Sequence, residues 1–265
     1  MSATVDLEHA LRIARAAAEA AGDLIAGYFR SGIDVELKDD ASPVTRADRE
    51  AESEIRARLS HAFPDHAIYG EEEGTTGASD WLWLVDPLDG TKSFVRGNPV
   101  FSTQIALMHR GDLLLGVSHA GSYGQTAWAR RGGGAFIDGR EVCAGLARSF
   151  GETALSTGNL KSLTLGPGWA RLGALIPQLN RIRGYGDFLH YHMLADAQID
   201  AVLESDVNIL DVAALTVIVR EAGGVFTDLA GAAVGLQTRS VLAAATPELH
   251  AALLAHFSAN LGPTP

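Results

Sequence analysis

Residues 83–94 read Trp83-Leu84-Val85-Asp86-Pro87-Leu88-Asp89-Gly90-Thr91-Lys92-Ser93-Phe94. We predict a buried strand over residues 81–85 that ends at Asp86-Pro87 and delivers two carboxylates, those of Asp86 and Asp89, at its carboxyl end. Pro87 stiffens the turn between them. Two carboxylates beside a buried strand are unfavourable unless a cation neutralises them. Hard oxygen ligands favour Mg²⁺ or Mn²⁺ over softer metals, so the stretch predicts a divalent metal site.

Two other acidic segments allow two interpretations each. Three adjacent glutamates, Glu71 to Glu73, lie between glycines and suit either a solvated acidic loop or a metal ligand. Asp211 begins an apolar helix, where the helix dipole alone would favour an aspartate. An Asp-x-x-Asp-Gly pattern by itself is also a common turn. The segments gain weight only in combination.

The composition bounds the class of protein. The chain has 265 residues, 47% of them hydrophobic, which suffices for one large domain or two joined halves. Its formal net charge of −11 argues against a nucleic-acid-binding role. A single cysteine, Cys143, excludes an intrachain disulfide and a thiolate zinc site. The N-terminal residues lack the features of a secretory signal, and no apolar stretch approaches the roughly 18 residues of a membrane span. We therefore expect a cytoplasmic protein without a membrane partner.

Periodicity predicts alternating helices and strands. Helices are expected over residues 7–29, 46–61, 169–180, 189–197, 211–222 and 247–256. Strands are expected over residues 35–38, 81–85, 103–109, 113–119, 126–130, 201–204, 225–227 and 240–244. The order predicts α/β layers with antiparallel pairs in the middle of the chain. We interpret the triple glycine after Arg131 as a hairpin turn, because no P-loop lysine follows it.

The combined pattern resembles the inositol monophosphatase superfamily, whose fold is related to that of fructose bisphosphatase. Residues 83–94 resemble the first signature of that family. Asp211-Val212-Ala213-Ala214 followed by Glu221-Ala222-Gly223-Gly224 resembles the second. The resemblance covers almost the whole chain and is weak over residues 151–171. Leu210 stands where the family usually has tryptophan, which weakens the match at Asp211.

The resemblance implies an α/β fold, a layered α-β-α-β-α sandwich, forming a single domain over residues 1–265. Its N-terminal half would span about residues 1–145 and its C-terminal half about 146–265. It also implies a homodimer and a phosphomonoesterase that uses two or three Mg²⁺ ions, with Mn²⁺ as a substitute.

The resemblance also implies roles for individual residues. Glu71, Asp86 and the Leu88 carbonyl would bind one ion, and Asp86, Asp89 and Asp211 a second. Glu71 and Thr91 would orient the attacking water, while Gly90 and Thr91 would bind phosphate through their backbone. Lys38 and Asp48 would support the site.

The substrate is expected to depend on residues outside the signatures. The pattern Gly186-Asp187-x-x-x-Tyr191 is similar to the histidinol-phosphatase branch, and Glu204 matches an acidic residue that contacts the substrate's alcohol portion. Histidinol carries an ammonium group and an imidazole. Extra carboxylates in the pocket would therefore select histidinol phosphate over the phosphate of a neutral polyol. Asp187 acting only as a helix cap is the alternative. His190 and His192 would point to different faces of a helix, and we expect surface or interface histidines there rather than a metal pair.

The sequence therefore predicts histidinol phosphate as the substrate. An inositol-1-phosphatase or a broad sugar-phosphate phosphatase is the alternative within the class. A non-catalytic regulator that binds phosphorylated ligands is the alternative from another class.

Overall fold

A computed structural model describes residues 5–31, 35–37 and 43–258. The chain divides into two compact units. The first comprises Met1–Glu141 and Leu210–Ile218, and the second comprises Val142–Ile209 and Val219–Pro265. A late segment of the sequence therefore folds with the N-terminal residues.

Seven α-helices occur in the described ranges. They are α1 Leu7–Ser31, α2 Arg46–Ala62, α3 Thr91–Val95, α4 Gly168–Leu175, α5 Asp187–Ala195, α6 Ile209–Glu221 and α7 Pro247–Ser258. Short 3₁₀ turns span Phe150–Glu152, Ser162–Leu165 and Ile176–Gln178. No helix among the described residues combines the length and apolar character needed to cross a bilayer.

Fifteen strands occur in the same ranges. They are β1 Val35–Leu37, β2 Pro43–Thr45, β3 Ala67–Gly70, β4 Gly74–Thr76, β5 Trp81–Asp89, β6 Ser102–His109, β7 Asp112–Ala120, β8 Gln125–Arg130, β9 Ala135–Ile137, β10 Arg140–Val142, β11 Ala154–Thr157, β12 Arg181–Arg183, β13 Ala201–Ser205, β14 Val225–Thr227 and β15 Ser240–Ala244. Together with the helices they confirm the predicted α/β class.

An eight-stranded sheet has the order β10-β9-β8-β7-β6-β5-β3-β4, and α1 and α2 contact its central strands. The buried face of α1 is mostly alanine, from Ala10 to Ala21, so the helix approaches the sheet closely. The apolar core of this unit joins that face to Trp83, Ile105 and Leu115 of the sheet. This packing holds β5, the strand that carries the acidic motif, against the helices.

Strand β5 continues through the motif, so the prediction that it ends at Asp86-Pro87 was wrong. It pairs with β6 as far as Asp86 opposite Gln104, and pairing resumes at Asp89 opposite Ser102. Three steps on β5 therefore face two on β6, which is a bulge. A bulge tolerates proline because the residue at that position does not need to donate a backbone hydrogen bond to the neighbouring strand. The bulge places both aspartates at one end of the strand.

The second unit contains a five-stranded sheet of order β12-β11-β13-β15-β14. Strand β11 pairs in parallel with β12 and β13, whereas β15 pairs antiparallel with β13 and β14. Leucines from β11, β13, β15, α4 and α7 form its apolar core. The predicted helix over residues 169–180 is shorter than expected: α4 ends at Leu175 and a 3₁₀ turn containing Pro177 follows, because proline lacks the N–H that would continue the helix.

Candidate metal centre and active site

Three aspartates converge in the first unit. Asp86, Asp89 and Asp211 each place one carboxylate oxygen within 4.8 Å of the other two. The first two come from the bulged end of β5, and Asp211 comes from the first turn of α6. The structure thus brings together two segments that lie more than a hundred residues apart in the sequence.

Close packing of α6 on the sheet positions Asp211. A Cβ atom added at Gly116 of β7 would lie 2.4 Å from the carbonyl oxygen of Ala214 and 2.6 Å from its Cα. Backbone contacts that short admit no side chain. Glycine at position 116 therefore lets the helix lie directly against the strand.

The surroundings of Asp86 are strongly negative. This side chain is only 2% exposed. Burial first, and then the charges of Glu71, Asp89 and Asp211, raise the pKa of Asp86 well above its ordinary value. A divalent cation would offset both the burial and the repulsion. Because every donor is a carboxylate oxygen, the residues present fit Mg²⁺ or Mn²⁺.

Glu71 approaches Asp86 from another direction. It lies in the turn between β3 and β4, and its side chain shares a hydrogen bond with Asp86. The Glu71 amide donates to the carbonyl of Val85 at 3.2 Å, which ties the turn to β5. Glu71 is thus connected to the three aspartates through Asp86.

Thr91 links α2 to the motif. Its hydroxyl lies 3.3 Å from Oδ1 of Asp48 and 3.0 Å from the carbonyl oxygen of Leu88. Asp48 is buried in the first turn of α2. Gly90 has a φ of 88° and precedes α3, as expected for a residue that opens a helix or turn. Lys38, predicted to support the site, lies outside the described residues.

A buried polar chain behind Asp89 escaped the sequence analysis. Ser102 Oγ donates to Oδ2 of Asp89 at 3.2 Å, and Gln104 Nε2 donates to Ser102 Oγ at 2.8 Å and to Ser118 Oγ at 3.0 Å. All three are buried. Ser102 and Gln104 are two positions apart on one face of β6, and that polar spacing inside an apolar strand is the signal that was available.

Glu204 lies in the second unit and is almost fully buried. Its carboxylate accepts hydrogen bonds from the Asn159 amide at 2.9 Å and the Tyr191 hydroxyl at 2.9 Å, and His190 Nε2 lies 3.2 Å away. Burial acts to raise the pKa of Glu204, but the nearby His190 ring and the hydrogen bonds from Asn159 and Tyr191 outweigh it and hold the pKa below its ordinary value. The carboxylate is therefore charged at neutral pH.

Asp187 has an unusual backbone conformation. It is half-buried in the first turn of α5, with a φ of 46°, and Gly186 occupies the cap position. Non-glycine residues in the left-handed region are uncommon and are enriched at functional sites. The predicted surface location of His190 and His192 was wrong, since both are buried. His190 contacts Ser156 Oγ, and the ring of His192 packs edge-on against Phe188.

Comparison with known proteins identifies the family. The inositol monophosphatase family profile matches residues 6–261. The chain belongs to the inositol monophosphatase family. This confirms the family predicted from the two signatures.

Relatives and solved structures agree with this assignment. A histidinol-phosphatase of Mycobacterium tuberculosis is 39% identical over 84% of this chain and 88% of that protein, which confirms the resemblance to the histidinol-phosphatase branch. An inositol-1-monophosphatase of Rhizobium meliloti is 34% identical over 79% of this chain and 81% of that protein. The extragenic suppressor protein suhB of Bartonella henselae superimposes with a TM-score of 0.87, at 29% identity, over 96% of this chain and all of that structure.

Proposed function

We propose that this protein is a Mg²⁺-dependent phosphomonoesterase that hydrolyses histidinol phosphate. The observation that carries the proposal is the convergence of Asp86, Asp89 and Asp211, with Glu71 hydrogen-bonded to Asp86. Four carboxylates with no cation among them repel one another, and membership of a phosphatase family explains such a cluster as a site for metal and phosphate.

The family resemblance implies the metal ligands, and the convergence of the three aspartates supports them. Glu71, Asp86 and the Leu88 carbonyl would hold one ion, and Asp86, Asp89 and Asp211 would hold another. When bound, Mg²⁺ supplies an activated water and neutralises charge on the phosphate and on the leaving oxygen. Ser102 holds the Asp89 side chain in place, because its hydroxyl donates a hydrogen bond to Oδ2 of Asp89.

Thr91 and Glu71 would guide the water. The Thr91 hydroxyl directs its hydrogen to Asp48 or to the Leu88 carbonyl, so its oxygen lone pairs can accept a hydrogen bond from the water. Glu71 would accept the proton that the water loses as its oxygen bonds to phosphorus. The ester bond to the alcohol breaks in the same displacement, and the leaving oxygen takes a proton from solvent. Backbone N–H groups at Gly90 and Thr91 would bind the phosphate oxygens.

The substrate proposal depends on Asp187 and Glu204. Glu204 keeps its negative charge despite burial, and Asp187 adopts a strained backbone typical of functional positions. Both favour an amino alcohol with a cationic group over a neutral polyol. The identity of 39% with a histidinol-phosphatase supports this choice. The inositol-1-monophosphatase relative supports the alternative, inositol-1-phosphate.

A side-by-side assay tests the proposal. Phosphate release is measured with histidinol phosphate and with inositol-1-phosphate at equal Mg²⁺, and kcat/KM is expected to favour histidinol phosphate by about 10-fold or more. Equal rates would contradict the substrate, and no release from either ester while Mn²⁺ still binds would favour the non-catalytic regulator. Asp187→Asn should reduce the preference selectively. Asp196→Asn, at the other end of α5, is the matched control and should leave the preference intact.

The remaining expectations concern partners and location. The net charge of −11 continues to argue against nucleic acid as a partner. The cytoplasmic location and the homodimer stay predictions. Histidinol phosphate as the substrate would give the protein a part in histidine biosynthesis.

A further inference from the structure

Helix α2 carries a stripe of buried charge. Asp48, Glu52 and Arg56 are spaced four residues apart, which places them on one face of the helix. Glu52 is 0% exposed and Arg56 is 7% exposed. Burying charged groups is unfavourable unless each finds partners. Asp48 meets Thr91 of the candidate site, and the partners of the other two suggest a second function for the stripe.

Glu52 binds the backbone that directly follows Glu71. Its Oε2 accepts from the Glu72 amide at 2.7 Å, and its Oε1 accepts from the Glu73 amide at 3.0 Å. The same Oε1 accepts from Nε of Arg56 at 2.7 Å. Charge-assisted bonds of this kind are among the strongest in proteins. The carboxylate therefore fixes the turn between β3 and β4.

Arg56 fastens the far side of the same turn. Its Nη1 donates to Thr76 Oγ1 at 3.0 Å, and its Nη2 donates to the Gly74 carbonyl. A Cβ atom added at Gly70 would lie 2.2 Å from Oε1 of Glu52 and 2.8 Å from Nη2 of Arg56. Only glycine at that position admits the buried pair, so the pair and the turn fit together as one unit.

We propose that Glu52 and Arg56 are positioning residues that select Glu71, among three adjacent glutamates, as the one directed at Asp86. The inference deepens the proposed function and rests on it, since Glu71 matters here as a metal ligand. Glu73 points elsewhere: its carboxylate accepts from Ser53 Oγ at 3.0 Å and lies 3.6 Å from Nε of Arg56. Glu71 instead has its side chain hydrogen-bonded to Asp86.

Metal binding without substrate tests this role. Mn²⁺ affinity is measured by titration calorimetry for wild type and for Glu52→Gln, which keeps the size but replaces one acceptor oxygen with an amide donor facing backbone N–H groups. We expect a loss of about 10-fold or more, the usual effect of removing a partner that orients a ligand. Arg56→Lys keeps the positive charge but removes the two guanidinium hydrogen bonds to Thr76 and Gly74. Its loss of Mn²⁺ affinity should be smaller than that of Glu52→Gln. This second variant covers the case in which Glu52→Gln does not fold.

The same helix offers a matched control. Glu54 and Arg58 form an ion pair with the same four-residue spacing, at 2.6 Å, but on the exposed face. Glu54→Gln should bind Mn²⁺ as wild type does. An affinity loss equal to that of Glu52→Gln would overturn the inference, because it would reflect the charge of the helix rather than the turn.

A double-mutant cycle separates positioning from a general structural effect. If Glu52 acts through Glu71, the Glu52→Gln loss should disappear in a Glu71→Gln background. Additive losses would overturn the inference, as would equal Mn²⁺ affinity in wild type and Glu52→Gln. Because the titration contains no substrate, absent phosphate release from wild type would count against the proposed activity alone.

Discussion

The Asp86 side chain is unfavourable to the folded chain without a metal ion, and it would bind a cation once one is present. It is buried and faces three other carboxylates, all of which raise its pKa. A neutral side chain at position 86 would relieve the repulsion. An acidic cluster of this kind lowers the stability of the metal-free protein and raises its affinity for a cation. Functional sites commonly combine lower stability with such a gain in function.

Replacing Asp89 tests both effects of the acidic cluster, on metal-dependent activity and on metal-free stability. Asp89→Asn keeps the shape and can still accept from Ser102, but removes one negative charge from the cluster. We expect kcat/KM for phosphate release to fall by about 100-fold or more, since a metal supplies several kcal/mol of transition-state stabilisation. Without Mg²⁺ the variant should unfold at the same temperature as wild type or higher, because repulsion is reduced.

The control for this variant is Asp80→Asn. Asp80 lies just before β5 and is exposed, paired with Arg110 at 2.8 Å, so activity should be unchanged. Substantial turnover of Asp89→Asn at saturating Mg²⁺ would refute the ligand role. A large loss of thermal stability in the metal-free variant would refute the repulsion argument.

At this scale the sequence predicts the residues that carry charge in a recognisable spacing. Asp86, Asp89 and Asp211 converge as the two signatures implied. Glu52 was not predicted, because its partners are backbone amides about 20 residues further along the chain. Ser102 and Gln104 were not predicted either, although their polar spacing on β6 is visible in the sequence. A buried glutamate in a helix looks the same in sequence as an exposed one, and only the folded partners distinguish Glu52 from Glu54.

Among the elements, α6 packs so closely on β7 that the backbones of the two are in contact. The helix carries Asp211 and lies on β7 at Gly116, where a Cβ atom would overlap the backbone of Ala214. Gly116→Ala must therefore displace the helix or the strand. We expect a loss of about 1–3 kcal/mol in the free energy of unfolding, typical of an overpacked core, together with weaker Mn²⁺ binding. Urea unfolding and titration calorimetry measure the two effects.

Gly27→Ala is the control for this substitution. Gly27 lies within α1, and nothing stands within 4 Å of its added Cβ. Alanine there should leave metal binding intact and stabilise the protein by up to about 1 kcal/mol, as glycine-to-alanine changes in helices do. Wild-type stability and metal affinity in Gly116→Ala would show that α6 does not depend on this close approach.

Elements with a clear period were predicted well, and those set by distant partners were not. The long helix α1 and the central strands β6 to β8 match the predicted ranges within a few residues. The bulge in β5 was missed because it depends on the register of β6. The hairpin of β3 and β4 was missed because Glu52 and Arg56 bind its turn, and no local pattern records that contact.

For the whole molecule, long-range contacts define units that composition does not show. The first unit includes Leu210–Ile218, which follows the second unit's sheet strand β13 in the sequence. No linker composition marks that return. At this scale the sequence indicates only bulk properties. These are an apolar content sufficient for two cores and a net charge of −11.

Four buried or half-buried histidines give the whole molecule a pH-dependent stability. Burial lowers the pKa of His192 from its usual 6.5 to about 3. Burial also lowers the pKa of His66, His119 and His250. The unfolded chain therefore binds more protons than the folded one as the pH falls below about 6.5, so stability is highest above that pH and decreases on acidification.

His192→Gln isolates the largest of these contributions. Between pH 7.5 and pH 5.5 wild type should lose about 1.4 kcal/mol more unfolding free energy than the variant, because a histidine neutral in the folded state contributes about 1.4 kcal/mol per pH unit below its unfolded pKa. Urea unfolding at the two pH values gives this difference. His61→Gln, at an exposed histidine near the end of α2, should keep the wild-type pH dependence. Identical pH dependence in His192→Gln and wild type would mean that His192 is accessible to protons in the folded state.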